Sequence, residues 1–169
     1  HLERVMNTQF DLVKQPFLPW RNTGGCPVPV GLQEAFKQAG ELAPLGDAGP
    51  QTTFAAVRLL LVLMHRTPPK FTEQERERLW DRGHFPDDWL REIENLTKGK
   101  FDLFDPKRPF LQRASADEKS RPVSDLIAEL PADTNINHSR HAYDDRVSLC
   151  PACCALGMLR LAPFCGQGG

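Results

Sequence analysis

The run of apolar residues at positions 54–64 constrains the fold more than any other feature of the sequence. Ten of its eleven residues are apolar, and the exception is Arg58. A helix that is apolar on nearly every side is normally buried inside a protein. The run is also far shorter than the roughly 20 apolar residues that a membrane-spanning helix needs. We therefore expect a central, mostly buried helix and no membrane span.

Prolines and glycines divide the rest of the chain into short elements. Residues 10–13, 17–20 and 26–30 are short apolar runs broken by prolines, and residues 22–25 have the composition of a turn, which predicts a small β element. Apolar residues at helical spacing predict helices over residues 32–42, 86–98 and 151–161, and a capping box at Thr72 and Glu75 predicts a charged surface helix through Trp80. The sequence thus predicts an α+β fold, with a predominantly helical core and a small N-terminal β element.

Two segments have neither a helical nor a strand period. Residues 101–112 contain three phenylalanines and two prolines, which favours an ordered loop held to the core by Phe101, Phe104 and Phe110. A short helix is expected over residues 124–130. Residues 132–146 are polar and rich in Asn, Asp and His, which is typical of a functional or mobile loop. Such side chains can contact phosphate oxygens or base edges, but the same composition describes any exposed loop.

The five cysteines are unevenly spaced, and an odd number does not make a disulfide framework. Reduced thiols in a cytosolic protein are therefore expected. Cys150 and Cys153 form a C-x-x-C motif with Pro151 at a helix start, where amide donors favour the thiolate. Cys154 is expected to be a packing residue of the same helix.

The C-x-x-C pair leaves three interpretations open. It supplies two of the four ligands of a tetrahedral zinc site, and the other two would come from His138 and His141, from Cys165, or from chain outside this sequence. A thioredoxin-like dithiol would need a preceding hydrophobic strand, which residues 143–148 do not supply. The third interpretation is a pair of inert buried thiols.

Charge and motif content exclude several function classes. The chain has 21 Lys and Arg residues against 22 Asp and Glu residues, a formal net charge of −1. Binding to a polyanion must therefore come from a local patch. No Gly-x-Ser-x-Gly, Walker or dinucleotide-binding glycine motif is present, so catalysis and a phosphate-cradling site have no support in the sequence.

The order of several motifs resembles the CasA family, the large subunits of the type I-E CRISPR surveillance complex Cascade. The resemblance spans almost the whole chain, and the most specific part is the spacing of the two phenylalanine motifs within residues 101–112. The matching motifs are, in chain order, Phe10-Asp11-Leu12-Val13, Pro16-Phe17-Leu18-Pro19-Trp20-Arg21, Val30-Gly31-Leu32-Gln33-Glu34-Ala35, Arg58-Leu59-Leu60-Leu61, Phe101-Asp102-Leu103-Phe104, Arg108-Pro109-Phe110-Leu111-Gln112, Thr134-Asn135 and Cys150-Pro151-Ala152-Cys153.

The resemblance implies that residues 1–169 are the N-terminal portion of a larger mixed α/β domain. Residues 1–6 can also be interpreted as a cloning remnant. It implies a non-catalytic subunit that contacts the guide RNA handle, helps recognise the protospacer-adjacent motif in double-stranded target DNA, and recruits the helicase-nuclease in antiviral defence. The implied partners are these molecules and the other Cascade subunits, in the cytoplasm.

The resemblance also implies specific site residues. The loop from residue 135 to about 148 matches a family loop that reaches toward the guide handle, which makes four of its polar residues candidate nucleic-acid ligands: Asn135, Asn137, His138 and Arg140. Cys150 and Cys153 match one half of a zinc site whose second C-x-x-C lies beyond residue 169. The alternatives are a stand-alone zinc-binding protein-interaction module and, third, a thiol oxidoreductase.

Overall fold

The computed structural model describes residues 9–43, 49–67, 72–112, 123–127 and 148–161. Within these ranges the chain forms a small antiparallel sheet, five α-helices and one 3₁₀ helix, so the expected helix-rich α+β fold is confirmed. The elements are, in chain order, β1 (Leu18–Asn22), β2 (Pro27–Val30), α1 (Leu32–Lys37), β3 (Leu42–Ala43), α2 (Pro50–Arg66), α3 (Glu73–Arg82), α4 (Asp87–Thr97), the 3₁₀ helix (Val123–Leu126) and α5 (Pro151–Leu161).

The sheet has the strand order β2-β1-β3, and both pairings are antiparallel. β1 and β2 form the predicted hairpin, in register from Leu18 opposite Val30 to Arg21 opposite Pro27. Gly25 turns the chain at φ 81°, a conformation that glycine adopts without steric cost. The prolines of β2 are tolerated because that strand lies at the edge of the sheet.

Residues 10–13 are not the strand that the sequence suggests. Asp11 makes a single β-bridge to Asp102, and the chain then turns. The carbonyls of Leu12 and Val13 accept hydrogen bonds, both at 3.0 Å, from the first two amides of α1. A helix start leaves such amides without internal partners, so this turn caps α1 by its backbone.

Helix α1 is shorter than the predicted helix over residues 32–42. It ends at Lys37, and Leu42 and Ala43 instead pair with Asn22 and Arg21 of β1. This strand pairing joins residues about twenty positions apart, which the helical spacing of apolar residues does not reveal. The prediction was therefore wrong for residues 38–42.

Helix α2 contains the apolar run, but the expectation that it is mostly buried is wrong. Its buried residues lie on one side, the side that includes Ala55, Ala56 and Leu63. Leu61, on the opposite side, is 45% exposed, and Val62, at the edge of the buried side, is 48% exposed. The helix thus packs on the core and α5 with one face only.

An aromatic cluster joins α1 to α4 in the core. Phe36 of α1 meets the ring of Trp89 edge to face at 5.2 Å, and Phe85 stacks on Trp89 at 4.4 Å. Offset and edge-to-face pairs of this kind add to the stabilisation from buried area. The prediction that α4 turns its apolar residues inward is confirmed, because Trp89 and Ile93 are buried. None of the helices in the described ranges is long and apolar enough to cross a bilayer.

Candidate functional site

Residues 101–112, which we call the aromatic loop, are an ordered loop, as predicted. Three backbone hydrogen bonds fix its path. Two join it to the N-terminal turn, Leu12 N to Phe101 O at 2.9 Å and Leu103 N to Phe10 O at 3.0 Å, and one lies within the loop, Phe110 N to Asp102 O at 2.8 Å. A loop held by such bonds has few alternative backbone conformations. It is therefore a rigid frame for the side chains that it carries.

Two polar side chains inside the aromatic loop complete this frame. The Oδ1 atom of Asp102 accepts hydrogen bonds from the amides of Phe10 and Phe104, each at 3.0 Å. Gln112 Nε2 donates to the carbonyl of Leu103 at 2.7 Å. Asp102 thus ties the loop to the N-terminal turn, and Gln112 closes the loop on itself.

Asp105 organises the tip of the aromatic loop. Its Oδ1 atom accepts hydrogen bonds from the amide of Arg108 at 2.7 Å and from that of Lys107 at 2.8 Å. The Arg108 N–H, followed by the Lys107 N–H, lowers the pKa of Asp105 below its usual value of 3.8, because both bonds favour the charged form. The carboxylate holds two exposed cationic residues in one tight turn.

The three phenylalanines of the aromatic loop do not all face the core. Phe101 and Phe110 stack at 4.8 Å, and Phe110 is buried. Phe104 is 43% exposed, so the expectation that it holds the loop to the core is wrong. Leu111 has φ 55°, a left-handed conformation that costs a leucine about 1–3 kcal/mol and that persists where the surroundings enforce it.

The thiols of Cys150 and Cys153 are adjacent at the start of α5. Their Sγ atoms are 3.0 Å apart, and the amide of Cys153 donates to Cys150 Sγ at 3.3 Å. Both side chains are exposed, so the interpretation as inert buried thiols is wrong. Pro151 occupies the first helical position, as the sequence predicts.

The two thiols differ in acidity because one accepts the hydrogen bond that the other donates. The Cys153 thiol, followed by the Cys153 backbone N–H, lowers the pKa of Cys150 below 9.0. The same thiol–thiol bond, followed by partial burial, raises the pKa of Cys153. The Cys150 sulfur is therefore the first to become a thiolate, the form that binds metals and reacts as a nucleophile.

The pair fits two of the four ligands of a zinc ion. Two thiolates on tetrahedral zinc lie about 3.8 Å apart, given a Zn–S distance of about 2.3 Å. The observed 3.0 Å separation reaches that value by a small side-chain rotation, which exposed cysteines can make. In the described ranges, no group of three or more Cys, His, Asp or Glu residues is placed to hold a metal ion.

Cys154 does not extend the pair to a third ligand. Its side chain is half-buried against the core, as expected for a packing residue, and its Sγ donates to the carbonyl of Leu149 at 3.9 Å. Burial raises the pKa of the Cys154 thiol. Cys26 is exposed in the N-terminal hairpin, and Cys165 lies outside the described residues.

Close contacts with the 3₁₀ helix fix the position of α5. Gly157 faces the 3₁₀ helix so closely that a Cβ atom there would lie 2.6 Å from the carbonyl oxygen of Leu126. Arg160 Nη2 donates to the same oxygen at 3.2 Å. The thiol pair thus stands on a helix that packs against α2 on one side and the 3₁₀ helix on another.

The candidate nucleic-acid ligands Asn135, Asn137, His138 and Arg140 lie outside the described residues, as does His141. They stay predictions. Only Cys150 and Cys153 among the predicted site residues are placed by the structure, and it brings them together. The exposure of Phe104 was not predicted, because phenylalanine is among the residue types most often buried.

Comparison with known proteins assigns the family. The family model for CRISPR-associated protein Cse1 matches residues 11–169. A curated protein described as CRISPR-associated protein CasA/Cse1, from Thermus thermophilus, is 33% identical over 142 residues, which is 82% of this chain and 28% of that protein. The chain belongs to the Cse1 (CasA) family. It spans less than a third of this relative's length.

Two solved structures share the fold of this chain over most of its length. Cse1 from Acidimicrobium ferrooxidans is 27% identical, with a TM-score of 0.70 over 90% of this chain and 28% of that one. A chain of a CRISPR RNA-guided surveillance complex in a pre-nicking state has a TM-score of 0.72 at 23% identity, over 90% of this chain and 33% of that one. The latter similarity concerns the fold alone.

Proposed function

We propose that this Cse1-family chain serves as a non-catalytic part of the large subunit of a CRISPR RNA-guided surveillance complex in antiviral defence. The observation that carries the proposal is the family match over residues 11–169. A chain of the same fold occurs in a complex described as a CRISPR RNA-guided surveillance complex, which supports the assembly proposed here. The proposed partners are the other Cascade subunits and the guide RNA, in the cytoplasm.

The proposal includes three finer roles: contact with the guide handle, help in recognising the protospacer-adjacent motif of double-stranded DNA, and recruitment of the helicase-nuclease. In such complexes base pairing reads the target sequence, while protein contacts read the short motif and the backbone. A chain of net charge −1 can serve there if it presents local contacts. The proposed ligands are Asn135, Asn137, His138 and Arg140.

The aromatic loop, which lies within the described residues, also supports nucleic-acid contact. It exposes one aromatic ring, Phe104, and two cations, Lys107 and Arg108, on a backbone fixed by hydrogen bonds. Aromatic rings stack on bases, and cations near them neutralise phosphates. A rigid loop also loses little conformational entropy on binding.

The test of the proposed function is assembly. The chain is combined with the other Cascade subunits and with guide RNA, and size-exclusion chromatography measures whether it co-elutes with them. We expect co-elution that depends on the guide RNA. A chain that elutes alone at every subunit ratio would contradict the proposal.

The finer nucleic-acid role is tested in the assembled complex. Joint Lys107→Gln and Arg108→Gln substitutions should weaken binding of duplex DNA and reduce its salt dependence, since each lost phosphate contact lowers the salt slope by about one. The matched control is Arg91→Gln with Lys98→Gln, which removes the same charge from exposed positions of α4 and its C-cap. Equal effects of the two pairs would argue for a general charge effect.

We also propose that Cys150 and Cys153 hold zinc as two of its four ligands, with a structural role for the ion. Elemental analysis of the purified chain and of its Cys150→Ser and Cys153→Ser variants measures zinc content. Cys26→Ser is the matched control, since it removes an exposed thiol elsewhere. Loss of zinc in the first two variants alone supports this site.

The alternatives give different results in the same assays. A stand-alone zinc-binding module would hold nearly one zinc ion per chain, would lose it on His138→Ala or His141→Ala substitution, and would not assemble with Cascade subunits. A thiol oxidoreductase would cycle its two thiols against a thioredoxin-type substrate at a catalytic rate.

A further inference from the structure

Helix α3 presents a tryptophan that the fold leaves almost entirely in solvent. The chain has three tryptophans, all within the described ranges, and their environments differ. Trp89 is 4% exposed and Trp20 is half-buried, whereas Trp80 is 87% exposed. No residue of α3 is buried. A large aromatic side chain with this exposure is a candidate anchor for a binding partner, because tryptophan is enriched among the residues that dominate interface energies.

The surroundings of Trp80 are charged and open to solvent. A shallow depression of about 460 Å³ is lined by Trp80 together with Glu73, Arg76, Glu77 and Asp81. These residues are three or four positions apart and so lie on one face of the helix. We call this surface the Trp80 face. Three carboxylates and one guanidinium give it a local charge of −2.

The carboxylates nearest Trp80 in sequence are available for a ligand. Arg76 pairs with Glu73 at the start of the helix. In the parts of the chain that the structure describes, Glu77 and Asp81 make no side-chain hydrogen bond or ion pair. The other ion pair of α3, Glu75 with Arg78, is formed by residues that do not line the depression.

Helix α3 is capped at both ends although none of its residues is buried. Thr72 Oγ1 accepts a hydrogen bond from the Glu75 amide at 3.3 Å, which caps the start of the helix. Gly83 ends the helix at φ 71°, and its amide donates to Leu79 O at 3.0 Å. Gly40 lies against the carbonyl of Gly83 so closely that a Cβ atom there would be 2.4 Å from that oxygen. Both ends of the helix are therefore fixed.

We propose that the Trp80 face binds a partner protein through an arginine or lysine side chain of that partner. The cation would lie over the Trp80 indole, where the negative face of the ring attracts it, and would donate to the carboxylates of Glu77 and Asp81. Charge complementarity selects this occupant over a nucleic acid, because three carboxylates repel a phosphate backbone. The inference does not depend on the proposed function, since it uses only the surface of α3.

The experiment titrates the full 169-residue chain with a blocked decapeptide of alternating arginine and glycine at low ionic strength. Calorimetry measures its affinity, and tryptophan fluorescence reports on Trp80, the most exposed of the three indoles. We expect binding with a change in emission. Replacing arginine by citrulline, which keeps the shape and removes the charge, should abolish binding.

Substitutions locate the binding surface. Trp80→Ala should weaken peptide binding at least about fivefold, the range of a partly desolvated cation–π contact. Joint Glu77→Gln and Asp81→Asn substitutions should weaken it about threefold or more. The matched control for a lost carboxylate is Glu92→Gln on the exposed side of α4. Its affinity for the peptide should stay within about twofold of that of the unsubstituted protein. Far-UV circular dichroism checks that each variant keeps its helices.

Three results would overturn the inference. The first is equal binding of the citrulline peptide, and the second is an effect of Glu92→Gln as large as that of the double variant. The third is tighter binding of a single-stranded DNA decamer than of the arginine peptide at the Trp80 face. Because all variants are at exposed positions, loss of folding is not expected to obscure the result.

Discussion

The two tryptophans of neighbouring helices have opposite environments. Trp89 of α4 is buried under Phe85 and against Phe36, whereas Trp80 of α3 stands in solvent. They are nine residues apart, on a helix of ten residues with seven charged side chains and one of eleven residues with five.

The difference lies in the neighbours at helical spacing. Four positions after Trp89 comes Ile93, so the two residues extend one apolar stripe into the core. Three and four positions before Trp80 come Glu77 and Arg76, so its side of the helix is polar. The comparison shows that the burial of a large residue depends more on whether its neighbours at helical spacing are apolar than on its own hydrophobicity.

The most severe way to test this comparison is to truncate each tryptophan. Trp89→Ala should lower the free energy of unfolding by about 3–5 kcal/mol, because it leaves a cavity among packed rings. Trp80→Ala should change it by no more than about 0.5 kcal/mol, since the side chain is exposed. Urea denaturation followed by circular dichroism measures both. Similar losses in the two variants would show that α3 packs on the core after all.

The second test concerns how α3 is attached. Gly40→Ala places a Cβ atom against the carbonyl of Gly83, so a backbone segment must move, and we expect a loss of about 1–3 kcal/mol. Gly24→Ala is the control, because its nearest neighbour is a side-chain oxygen, that of Asn22, at the longer distance of 3.3 Å. A Gly40→Ala variant as stable as the unsubstituted protein would mean that the two turns are not in contact.

A third test sharpens the comparison at the level of local stability. Thr72→Ala removes the hydroxyl that caps α3 and should destabilise that helix by about 1 kcal/mol. Because α3 buries no residue, hydrogen exchange should accelerate in its amides and stay unchanged in those of α4. Thr72→Ser, which keeps the hydroxyl, should behave as the unsubstituted protein. Faster exchange in both helices would show that they unfold as one unit.

The smallest expected effect comes from a comparison of α3 with the aromatic loop. Hydrogen bonds fix the backbone of the aromatic loop, whereas α3 is stabilised by its caps. The folded-state pKa of Asp105 lies below 3.8, so its stabilising effect is complete above pH 3.8 and is lost as pH falls through the lowered value. The amides of Lys107 and Arg108 should then exchange faster and shift in NMR spectra. Asp105→Asn should abolish this titration; its persistence in that variant would assign it to another group.

Several elements could be predicted because short-range interactions form them. The cap at Thr72, the proline at the first position of α5 and the apolar stripe of α4 each involve residues at most four positions apart. The proximity of Cys150 and Cys153 belongs here too, since they are three positions apart across one helical turn.

Other features could not be predicted because they depend on residues far apart in the chain. Nothing near Phe104 in sequence shows that Phe101 and Phe110 would take the core positions and leave it exposed. The apolar run of α2 likewise gives no indication of which face would be covered. The hydrogen bond from Phe10 N to Asp102 joins residues 92 positions apart.

The sequence by itself determined the class of fold, the caps and turns that bound its helices, and the motifs that resemble Cse1. These depend on backbone geometry and side-chain spacing over a few residues, which any segment of the chain carries within itself. Only the tertiary structure decided that Leu42 and Ala43 join the sheet, that one face of α2 stays open, and that Trp80 is left in solvent. The physical reason is that burial is a property of the whole packed chain, since a side chain is removed from water only by neighbours that long-range folding brings to it.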